Sequence, residues 1–187
     1  SPAETVDGSW KALVDVLGQE TASKAVRQYP LVLTSPAETV EGSWKALVEL
    51  LGERAAAKAV QQSPSVLRVP GKTVQSSGKA FMDVLERHMV CCSLENNPKL
   101  LSVRSATVSS SHALLQDLFG LDVSLELVTK KLDVLCARTS TIQTCWDALL
   151  EHLGRNRAHE EVINNPLLLT RFSLVKRKLG RRRSGPL

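Results

Sequence analysis

Aromatic side chains make up 4% of this chain: three tryptophans, three phenylalanines and one tyrosine in 187 residues. That leaves little for the rows of stacked rings with which single-strand binders hold bases. Of four cysteines, Cys91 and Cys92 are adjacent and Cys136 and Cys145 lie nine apart. No C-x-x-C pair is present to nucleate a zinc site, and His88 with Cys91 supplies two ligands where a tetrahedral ion takes four. Reduced, buried thiols are the expectation. No stretch approaches the roughly 18 consecutive apolar residues of a membrane span, so no membrane partner is expected. There is no glycine-rich phosphate loop, and Ser109-Ser110-Ser111-His112, the one conspicuous serine–histidine run, falls where a helix belongs. The chain is not expected to be an enzyme, and no catalytic residue, cofactor or metal ligand is assigned.

What the sequence does have is a period. "SPAETVDGSWKALVDVLG" begins at Ser1 and returns at Ser35 as "SPAETVEGSWKALVELLG", with a few conservative changes. Thr5, Thr39, Thr73, Thr107 and Thr141 continue that same step, the first four followed by Val and the last by Ile142. Pro30, Pro64, Pro98 and Pro166 keep it too, with Leu132 at the fourth place. Trp10, Trp44 and Trp146 form a third series, with Gly78 and His112 between them. Three markers on one period without insertions identify a repeat array, in which no repeat buries its apolar face alone.

The first repeat predicts the local structure. Ser1-Pro2-Ala3-Glu4 reads as a capping box with proline at the first helical position. Val6, Trp10, Leu13, Val14 and Leu17 then form an apolar stripe at helical spacing, and Gly18 permits a stop with positive φ. A shorter helix is expected over Glu20 to Gln28, with Ala22, Ala25 and Val26 inward, ended by Pro30. "PLVL" makes a tight apolar turn into the next repeat. The tryptophans share the face of their Val, Ile and Leu neighbours, so core packing is expected of them rather than base stacking. His112 is expected to be partly buried with its hydrogen bonds satisfied.

Tetratricopeptide units have the same length, but they set a glycine close behind the tryptophan. Here Gly18 trails Trp10 by eight positions, and the proline opens a P-x-x-L turn. The layout W-K-A-L-V-x-x-L-G … A-V-x-x-x-P-x-V-L, read from Trp44 to Leu67, resembles the mitochondrial transcription termination factor (mTERF) family. The third repeat lacks the glycine after Leu85 and the fourth replaces the proline by Leu132, departures that bear on local geometry. The resemblance implies an all-α fold: a right-handed-type α-solenoid of about five 34-residue helix–helix–turn repeats (1–34, 35–68, 69–102, 103–136, 137–170), then a partial sixth repeat (171–187) giving a capping helix and basic tail. It implies work in an organelle, the mitochondrion before the chloroplast, binding RNA or DNA in transcription termination or regulation, RNA processing or an organellar ribosome.

Charge bears on the partner. Residues 1–170 hold 17 Lys and Arg against 19 Asp and Glu, a net −2, whereas 171–187 hold seven cations and no acid, +7. A surface that grips many phosphates needs a basic excess. The tail cations Arg171, Lys176, Arg177, Lys178, Arg181, Arg182 and Arg183 are therefore the first candidates for RNA contact. Body candidates are Lys24, Arg27, Lys58, Arg68, Lys72, Lys99, Arg104, Arg155 and Arg157, which fall near second helices and turns while acids crowd the first helices. In the tail, Phe172, Val175 and Leu179 are expected to cover the end of the array before the helix breaks at Gly180 into an arginine run. That run reads as a phosphate-binding arm, a solvated end or an address signal. Two functions stay open: an organellar nucleic-acid binder with RNA favoured over duplex DNA, or a scaffold holding ribosomal or other organellar proteins with the tail as RNA anchor.

Overall fold

Glycine at a helix junction lets a chain reverse with positive φ, and four junctions here use one. The computed structural model describes the backbone of residues 2–183 and the side chains of 4–180. Helix α1 (Pro2–Leu17) meets α2 (Gln19–Gln28) at Gly18, and a 3-10 turn, η1 (Pro30–Thr34), leads on. The order recurs as α3 (Ala37–Leu51), α4 (Glu53–Gln62) and η2 (Pro64–Arg68); α5 (Gly71–Met82), α6 (Arg87–Asn96) and η3 (Pro98–Ser102); α7 (Ser105–Phe119), α8 (Leu121–Lys130) and η4 (Leu132–Cys136); and α9 (Thr139–Leu153), α10 (Arg155–Asn164) and η5 (Pro166–Leu169). Helix α11 (Phe172–Arg183) follows. The fold is all-α, with no strand among the described residues.

The exceptions expose what each marker does. At Gly52 φ is +84° and α3 runs for 15 residues; the third repeat has Glu86 there, φ is −58°, and α5 stops after 12 residues. Left-handed backbone costs an L-residue about 1–2 kcal/mol, so the helix ends early instead. The proline is less demanding. Lys131 before Leu132 takes the same extended backbone, φ −150°, as Tyr29 before Pro30, φ −147°, and η4 still forms.

The Ser1 half of the expected capping box lies outside the described residues. In its second copy Ser35 does not cap: Pro36 holds the N-cap position with no side-chain bond, and the buried Ser35 offers its carbonyl elsewhere. That carbonyl accepts from the hydroxyl of Ser9, 26 residues earlier. Ser43 donates to the Val69 carbonyl and Ser77 to that of Val103 in the same way, and Ser111 donates to Ala137 at 2.6 Å. The four serines keep the repeat's own step, each fully buried beside the Trp10 series, with the buried Cys145 at the fifth place. They were not singled out from the sequence. Trp146 is buried, ring to ring with Phe119 at 4.7 Å, but Trp10 and Trp44 are only half-buried, each following a fully buried serine.

By internal packing the chain divides into two bodies, Ser1–Ser105 and Ala106–Leu187. In the first, α3 packs between α1 and α5, α4 between α2 and α6, and η2 between η1 and η3, so equivalent elements lie side by side. In the second, α8 touches α10, η4 touches η5, and α11 packs on α9 and η5. Val175 is the buried anchor of α11; Phe172 stays 38% exposed and Leu179 half-buried. Removing a buried hydroxyl strands its carbonyl, at about 1–3 kcal/mol. Ser43→Ala should lose that much in urea unfolding, whereas Ser23→Ala, whose hydroxyl bonds Gln19 on an exposed surface, should stay within about 0.5 kcal/mol of wild type.

Candidate nucleic-acid interface

A cation that holds a carboxylate must give up or share that partner to meet a phosphate, so the partners of each candidate bear on its value. Lys24 on α2 donates to Glu20 at 2.7 Å and, through that bond first and its charge second, holds the Glu20 carboxyl below its ordinary range. Lys58 on α4 reaches Glu95 on α6 at 3.4 Å. Arg68 at the end of η2 donates to the Tyr29 hydroxyl at 2.9 Å, its guanidinium 5.9 Å from the ring centre. Arg27, Lys72, Lys99 and Arg104 are exposed: on α2, in the first turn of α5, in η3 and just ahead of α7. Lys72 thus sits on a first helix rather than near a second one. Three of them come from three different elements and Arg104 from the link between η3 and α7.

The second body carries its candidate cations on α10, on α11 and just ahead of α11. Arg155 and Arg157 are exposed in the first turn of α10, which has no acid in that turn and no side-chain cap on its N-terminal amides. Glu160 and Glu161 come later in α10. This order opposes the helix dipole, which favours acids at the start and cations at the end by about 0.3–1 kcal/mol each. The uncapped amides and both arginines lend positive potential to this helix start, a setting that suits an anion, with the two side chains, two residues apart, projecting to different sides of the helix.

Helix α11 packs on α9 and η5. Lys178 donates to Glu161 at 2.6 Å, tying α11 to α10. Lys176 and Arg177 face solvent, with the Lys176 ammonium 5.2 Å from the centre of the Phe172 ring. Arg171 is exposed at the mouth of a groove of about 420 Å³ with Asp133, Cys136 and Leu174. The expected break at Gly180 does not occur: α11 continues to Arg183. A single interior glycine costs about 1 kcal/mol and arginine is a good helix former, so the flanking turns carry the helix through. The side chains of Arg181, Arg182 and Arg183 lie outside the described residues.

Two expectations about other titratable groups change. Cys92 is exposed rather than buried, while Cys145 is fully buried. Burial, then the charge of Asp133, pushes the Cys136 thiol up to about 12, which keeps it protonated and unreactive. His88, on the exposed side of α6, approaches Glu86 at 3.3 Å. His112 is half-buried, but its Nε2 is enclosed with no hydrogen-bond partner among the described residues, so it is not satisfied. Burial lowers its pKa. A folded-state pKa below the unfolded one means that the neutral ring's contribution is complete above the ordinary value of about 6.5 and is lost as pH falls through the folded value. Between pH 8 and 5 wild type should lose more unfolding free energy than His112→Leu, measured by denaturant titration at each pH.

No protein-family model matches this chain, and no curated protein matches it either.

Proposed function

We propose that the chain is a non-catalytic RNA-binding protein of organellar gene expression, resembling the mTERF family, in which five helix–helix–turn repeats form a right-handed α-solenoid. The second body grips phosphates through the start of α10 and the exposed side of α11. One observation carries this reading: Lys176 and Arg177 face solvent on a helix that Val175 and the Lys178–Glu161 bond fix to the fold. A preordered cationic helix loses less conformational entropy on binding than a loose arm. The unfavourable charge order of α10 fits the same purpose, since it gives up helix stability for positive potential. Structured RNA of a mitochondrion, or of a chloroplast, is the preferred ligand over duplex DNA, and an organellar ribosome is a setting that suits a short array.

A second reading has its own support. The first body ties Lys24 and Lys58 to carboxylates, and residues 1–170 carry a net −2. That surface suits a protein partner, such as a ribosomal protein, while the second body anchors RNA.

The test is binding to a structured organellar RNA across a salt series. Replacing Arg155, Arg157, Lys176 and Arg177 by Gln should lower affinity and flatten the log–log salt slope, by up to about 0.7–0.9 for each phosphate no longer neutralised. Replacing Lys24 and Lys58 by Gln should leave the slope unchanged. The opposite pattern would put the binding surface on the first body and overturn the assignment.

A further inference from the structure

The first repeat has a face that every later repeat keeps covered. Val6 of α1 is 39% exposed, whereas its copies Val40, Val74, Val108 and Ile142 are fully buried. Val26 of α2 is half-buried and Leu33 of η1 is half-buried, yet all four later copies of each are fully buried. Pro30 is exposed, and Pro64, Pro98, Leu132 and Pro166 are buried. One helix of each kind and the turn between repeats are thus uncovered together, on one side.

The first body shows what covers such a face. Val40, Val60, Pro64 and Leu67 belong to α3, α4 and η2, against which α1, α2 and η1 pack in order. The join is close: a Cβ on Gly8 would stand 3.9 Å from that of Ala37, and the Ser9 hydroxyl bonds the Ser35 carbonyl. Residues 1–18 and 35–52 differ at only three of 18 positions, Asp7/Glu41, Asp15/Glu49 and Val16/Leu50. The uncovered surface of α1 is therefore nearly the surface of α3 that α1 itself covers. A repeat face left to water ordinarily carries polar residues; this one carries valine, valine, proline and leucine.

We propose that this face is a docking site for another helix–helix–turn repeat of the same kind, seated as the first repeat is seated on the second. It continues the interface already built twice in the first body. Of its charged edges, Asp7 corresponds to Glu41 and keeps the sign of charge, while Arg27 stands where α4 has the uncharged Gln61.

The probe is a copy of residues 1–34 joined ahead of Ser1 in the full chain. Amide exchange of α1 and α2 should slow relative to the parent, and Leu33→Ala, which should shift the parent's denaturation midpoint only slightly, should shift the extended chain's about as much as Leu67→Ala does. Unchanged exchange with an unchanged effect of Leu33→Ala overturns the proposal. So does an added copy whose own amides exchange as an unfolded segment. Light scattering of the parent supplies the competing outcome: a dimer that Val6→Glu returns to monomer would assign the face to a second copy of this chain and overturn the repeat as occupant. RNA affinity plays no part in these readouts, so they stand apart from the functional reading.

Discussion

A buried hydroxyl that must find an acceptor ties each of four first helices to a carbonyl further along the chain in the same body. Ser9, Ser43, Ser77 and Ser111 sit on first helices where water does not reach, and each donates to a carbonyl 26 residues downstream, at the entry to the following repeat. Apolar packing alone would tolerate sliding of one helix on another. A directional bond to one carbonyl does not, because a slipped register leaves that carbonyl unpaired in an apolar setting. Cys145 occupies the last place of the serine series as a buried thiol.

Much of this was legible. The constant repeat step, the two helices, Gly18 and the proline turn follow from spacing and backbone chemistry, and the observed α2 starts one residue before the expected Glu20. The serine series was as periodic as the tryptophans, but serine is common on solvent faces and its burial depends on a neighbour in the following repeat. Trp10 and Trp44 attracted the core assignment that belongs in part to the serines beside them. The helix through Gly180 was misjudged because glycine carries opposite meanings: at Gly18 it ends a helix with φ +76°, while in α11 the turns on both sides outweigh its cost. Nothing in the sequence indicated that His112 would have an enclosed, unpartnered nitrogen.

For the candidate interface, a charge count locates the cations and the fold decides which of them are available. Lys24, Lys58 and Lys178 read alike in that count, yet each holds a carboxylate. Lys178 uses its bond to fix α11, which leaves Lys176 and Arg177 outward on a rigid support. Arg155 and Arg157 are in place on α10 against the preference of the helix dipole, the kind of local conflict that points to a role outside stability. The chemistry available there is anion binding through fixed positive charge and uncapped amides.

Ultraviolet cross-linking of the full chain to a structured organellar RNA, with the linked peptides identified by mass, tests the proposed RNA-binding surface most directly. The account predicts cross-links confined to peptides from 155–183. Cross-links concentrated in peptides from 2–105, with none from α10 or α11, would contradict it.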